Sequence, residues 1–108
     1  MDSYTILKNL IDDKQEIPSD SILSRTLLHN DDVRTVLFHF APGQELSEHT
    51  AAKPALLHFL SGEADVTLGE EAVQAGPNTF IYMKAHLPHS IHAKTKVTML
   101  LILLEAGK

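Results

Sequence analysis

The 108-residue sequence contains no cysteine. That excludes a disulfide framework, a Cys-based zinc site and a thiolate nucleophile. Tryptophan is also absent and aromatic residues make up only 6% of the chain, so any core is mainly aliphatic. The longest apolar run, Met99 to Leu104 with Val97 before it, is far shorter than the roughly 20 residues of a membrane-spanning helix. No membrane partner is expected. Positive charge is scarce as well: nine lysines and arginines stand against 14 acidic residues, leaving a net charge of −5. The lysines are scattered, whereas phosphate backbones demand a concentrated basic surface, so nucleic acid is not an expected partner. Met1 to Lys8 has neither a basic start nor a sustained apolar stretch. No secretory signal is readable there, and a cytoplasmic location is expected. A glycine-rich phosphate loop, a G-x-S-x-G elbow and an H-E-x-x-H helix are all missing.

What the chain does have is seven histidines and a regular succession of short alternating segments. Ile22 to His29 is stopped by Asn30-Asp31-Asp32, and Val33 to Phe40 by Ala41-Pro42-Gly43. Glu45 to His49, Ala55 to Leu60, Glu63 to Leu68, Ala72 to Gln74, Thr79 to Met83, His89 to Ala93 and Val97 to Leu104 follow. In the fifth of these, Ala64, Val66 and Leu68 alternate with Glu63, Asp65 and Thr67, the period of a strand with one face buried. Short strands at close spacing with Gly and Pro turns read as an all-β sandwich or closed barrel. Residues 1–20 read as an N-terminal arm and 21–108 as a single domain. Asp2-Ser3 offers a cap for a short helix carrying Tyr4, Leu7, Leu10 and Ile11 on one stripe and ending before Pro18. The pairs Asp12-Asp13 and Asp31-Asp32 read as solvated residues of a helix end and a turn.

The last strand is apolar on both faces: Val97, Met99, Leu101 and Leu103 point one way, Leu100, Ile102 and Leu104 the other. Such a strand needs cover on both sides, and an exposed apolar patch is unusual on a monomer. A homodimer with Val97–Leu104 at or near the interface is therefore expected, with the N-terminal helix folding back over the strand as the alternative.

The segment from Pro42 to Glu63 resembles the first motif of the cupin superfamily: Gly, five residues, His, one residue, His, three or four residues, Glu, six residues, Gly. Gly43, His49 and Gly62 fall on its first Gly, first His and last Gly. The stretch from Gly76 to His89 is similar to the second motif, with His89 at the ligand histidine after Pro88. The resemblance spans about residues 33 to 104. It implies a small double-stranded β-helix, a jelly-roll barrel, usually dimeric, with a divalent metal on three histidines and a glutamate. This chain departs from that set, because Ala51 stands at the second histidine and Ala55 at the glutamate.

A catalytic metal needs three protein ligands and an open position. His49 and His89 supply two candidates; His58 is the next, and His86, in a loop near the barrel mouth, follows. Strand parity puts His58 opposite Leu57 and Phe59, so only a bulge would turn it inward. The alternative for His49 and His89 is a pair of interior histidines satisfied by hydrogen bonds. The expected cofactor is one divalent transition metal (Fe, Mn, Ni or Zn), or none. Three functions stay open: a barrel that binds a small molecule with a metal possible at His49 and His89, a metal-dependent oxygenase or isomerase, and a non-catalytic dimeric interaction domain. Loss of two ligand positions favours the first.

Overall fold

The computed structural model describes residues 3–11 and 16–105. Among the described residues nine strands follow one another: β1 Ile22–His29, β2 Val33–Phe40, β3 Glu45–His49, β4 Ala55–Ser61, β5 Ala64–Leu68, β6 Glu71–Ala75, β7 Phe80–Met83, β8 His89–Ala93 and β9 Val97–Leu104. They form a five-stranded sheet in the order β1-β2-β9-β4-β7 and a four-stranded sheet in the order β3-β8-β5-β6. Every pairing is antiparallel.

The alternation read from the sequence decides which side chains fill the space between the sheets. Ala55, Leu57 and Phe59 of β4, Ala64 and Val66 of β5, His89, Ile91 and Ala93 of β8, and Val97 and Met99 of β9 are buried. Leu101 and Leu103 pack against the same core. With the phenyl rings of Phe40 and Phe59 fully enclosed, this is a packed interior in which truncation of one ring costs about 3–5 kcal/mol.

The expected N-terminal helix is not present. Ser3–Ile11 has no helical residue, and there is no helix among the described residues; Asp2 and Asp12-Asp13 lie outside them. The reason is physical. A short helix pays a nucleation cost that only packing of its apolar stripe repays, and this stripe is not packed: Tyr4 is 73% exposed, Leu7 43% and Ile11 41%. The arm is fastened by its backbone instead, through the Arg25 Nη2 donor and the Leu10 carbonyl at 3.3 Å.

The outer side of the five-stranded sheet is as apolar as β9 implies. Leu100 pairs with Leu37 and His58, and Ile102 with Thr35 and Leu56; His58 and Leu56 in turn pair with Phe80 and Tyr82 of β7. Near β2 this face is buried, at Leu37, His39, Thr98 and Leu100. Along β7 it is open, with Phe80 58% and Tyr82 55% exposed.

Candidate functional site

His49 ends β3 and His89 begins β8, and the two are direct cross-strand partners. Leu46 pairs with Ile91 and His49 with His89, so β3 spends three steps where β8 spends two. The extra residue is a β-bulge. Without it, parity would aim His49 away from the side on which Leu46, Ile91 and His89 lie. The bulge brings both imidazoles together, with ring centroids 4.3 Å apart and planes inclined at 58°.

The hydrogen bonds of the two rings are alike. His49 Nδ1 lies 2.9 Å from the Ser47 carbonyl, and His89 Nδ1 lies 2.9 Å from the Leu87 carbonyl. A carbonyl only accepts, so both Nδ1 atoms carry the proton and donate. Each neutral ring therefore presents a lone pair at Nε2. No hydrogen-bond partner of either Nε2 occurs among the described residues. His89 is only 6% exposed, yet among the described residues no buried side-chain nitrogen or oxygen lacks a partner; its Nε2 thus reaches solvent. His49 is exposed. The pair sits at the end where β3 stops and β8 starts.

Backbone contacts define that end. The His86 N–H donates to the Ala51 carbonyl at 2.7 Å, tying the β7–β8 loop to the β3–β4 loop. Leu68 pairs with His89 on the strand side away from His49, so an apolar side chain stands beside that imidazole. Lys53 Nζ lies 2.6 Å from Glu105 Oε2, clipping the β3–β4 loop to the end of β9. That hydrogen bond holds the Glu105 carboxyl below its usual range against a smaller opposing desolvation.

His58 does not join the pair. It lies on the outer face and meets the Phe80 ring edge-on, with centroids 5.8 Å apart. The bulge that would have turned it inward occurs one strand step later, between Phe59 and Ser61. His86 is at the same end as the pair but is exposed, in a left-handed turn with φ of 71°. His92 is exposed, and His39, on the outer face, has Nδ1 3.3 Å from Thr98 Oγ1. A cavity of about 290 Å³ beside His39 is lined by Leu23, Ser24 and Arg25, on the opposite face of the sheet from the barrel interior.

Among the described residues no group of three His, Cys, Asp or Glu side chains is placed to hold a metal ion. Two imidazoles fall one ligand short of the usual minimum for a catalytic centre. The residues present do not make up the metal centre that the resemblance implies. What sequence reasoning missed is the pair of carbonyls, Ser47 and Leu87, that fix the tautomers. They belong to the backbone, so residue type carries no sign of them; the shared spacing, two residues before each histidine, is the only trace.

Comparison with known proteins agrees with this architecture. The profile of the cupin domain matches residues 36–105. A cupin superfamily protein from Desulfitobacterium hafniense is 31% identical, with a TM-score of 0.80, 93% of this chain and 98% of that chain covered. A conserved protein of unknown function from Streptococcus pyogenes is 26% identical over 99% of this chain and all of its own, with a TM-score of 0.78. Salicylate 1,2-dioxygenase from Pseudoaminobacter salicylatoxidans shares the fold alone: 11% identity, TM-score 0.73, 80% of this chain but 26% of that one. No curated protein matches the chain.

Proposed function

The chain belongs to the cupin superfamily, and from that membership we propose that its barrel, residues 21–108 behind an arm of residues 1–20, binds a small molecule at the open end. One observation carries this reading: two imidazoles 4.3 Å apart, both with Nδ1 spent on a carbonyl, stand together beside the apolar side chain of Leu68. A few convergent polar groups in an apolar setting are the usual makeup of a small-molecule site. Kept only as filler, the buried ring of His89 would be expensive, since an apolar residue fills a core at lower cost.

The rival reading, a divalent transition metal on His49 and His89 serving an oxygenase or isomerase, draws on the same two lone pairs. Water or substrate would have to supply the remaining positions. Elemental analysis of protein purified without an affinity tag, beside His49→Ala, decides between them. A stoichiometric metal that disappears in the variant establishes the metal centre. Under the binding reading the protein carries no stoichiometric metal, a chelator leaves its melting temperature unchanged, and small-molecule screening by NMR perturbs amides of Leu46–His49 and Leu87–Ile91 in the native protein only.

A further inference from the structure

The tautomers say more about the ligand than the fold does. Because Ser47 and Leu87 accept from the two Nδ1–H groups, the neutral site offers two hydrogen-bond acceptors and no side-chain donor of its own at these rings. An anion brought against them meets two lone pairs. So does an ether or a ketone. A molecule that donates is matched instead. The 4.3 Å between ring centroids sets two acceptors close enough for donors on neighbouring atoms of one skeleton. Beside the rings stands Leu68, the cross-strand partner of His89, apolar and only half-buried, which favours a hydrocarbon body over a second polar end.

Building on the small-molecule reading, we propose that the His49–His89 pair recognises a neutral vicinal diol on an apolar ring, each hydroxyl donating to one Nε2. The pairing is specific because a ligand that covers the two rings but lacks one donor strips water from an imidazole nitrogen without replacing it, and an acceptor desolvated without a partner costs more than the hydrogen bond returns.

The test is a graded series with constant shape: trans-cyclohexane-1,2-diol, its monomethyl ether and its dimethyl ether, with cyclohexanecarboxylate as the anionic analogue. Binding is followed by NMR titration at neutral pH, with a chelator present so that no adventitious metal bridges diol and histidines. The expected result is a loss of about tenfold in affinity for each hydroxyl capped, the equivalent of roughly 1.4 kcal/mol per hydrogen bond, with the carboxylate weakest. In His49→Ala the diol and its monoether become equal; His89→Phe, which keeps a ring in the core, is the second variant should the first be unstable. Long-range nitrogen–proton spectra of both histidines read the Nδ1–H tautomer directly. Equal affinities across the series, or a carboxylate that binds tightest, overturn the donor inference while leaving the barrel as a binding site. No binding by any of the four overturns both.

Discussion

Gly62 connects β4 to β5 with φ of +89°, in the left-handed region that costs a residue with a side chain about 1–2 kcal/mol. A Cβ there would also run into the Lys96 carbonyl and stand 2.8 Å from the Val97 Cα. Both obstacles are backbone and have little room to move. Gly43 shares the left-handed φ, +84°, but a Cβ at that position meets nothing within 4 Å. Gly62→Ala should therefore destabilise the protein by clearly more than the 1–2 kcal/mol that conformation alone accounts for, and Gly43→Ala by about that amount. Chemical denaturation of the two variants checks the order; equal losses would show that close approach at Gly62 is relieved elsewhere. These glycines were readable as turn residues from the sequence, and the motif spacing also picked out His49 and His89. Tautomers were not readable, because Ser47 and Leu87 contribute only main-chain oxygens. Nor does spacing show that the Ala51 position retains a structural part, its carbonyl receiving the His86 N–H.

At the scale of elements, strand existence followed from period-two alternation and turn residues, and the strands of the barrel lie within a residue or two of their expected limits. Register was another matter. The bulge in β3 sits among Ser47 and Glu48, with no glycine to advertise it, and the bulge at the end of β4 falls just beyond His58. One residue's difference in either place would have changed which imidazoles share a face. The arm was misread because an apolar stripe predicts a helix only if something covers it. The clip between Lys53 and Glu105 shows how a loop is fastened to a strand end, and its pH dependence has a definite sign. Glu105 titrates below its ordinary value because the Lys53 ammonium hydrogen-bonds its charged form. The stabilisation is present above the unfolded carboxylate pKa and is lost as pH falls through the lower folded value. Glu105→Gln should therefore melt slightly below the native protein at pH 7 and together with it in strong acid, a small difference because the pair is partly solvated. A gap that widens on acidification would reverse the assignment.

For the whole molecule, the open part of the five-stranded sheet raises the question of what meets Phe80 and Tyr82. Leu56 and His58 adjoin them through the β4–β7 register, Ile102 adjoins Leu56 through the β4–β9 register, and all three are only half-buried. None of these five side chains is Lys, Arg, Asp or Glu. Elsewhere two copies of a chain with net charge −5 repel each other; on this uncharged face they do not, and a two-fold dimer requires a patch that tolerates itself. We propose that a second copy of the chain covers it, with β9 beneath the interface and β7 at its rim. Substitution at Leu100 would confound the test, since that residue is 9% exposed within one subunit and its loss would damage the fold. Phe80→Glu combined with Tyr82→Glu places two charges on already exposed positions, where a monomer pays little and a closed interface pays for desolvating both. Sedimentation equilibrium should give about twice the 11.9 kDa chain mass for the native protein and the single-chain mass for the double variant, with both keeping the same β-type circular dichroism. Native protein that sediments as a single chain, or a double variant that still pairs, would leave this face to a different partner and place any dimer contact on another surface.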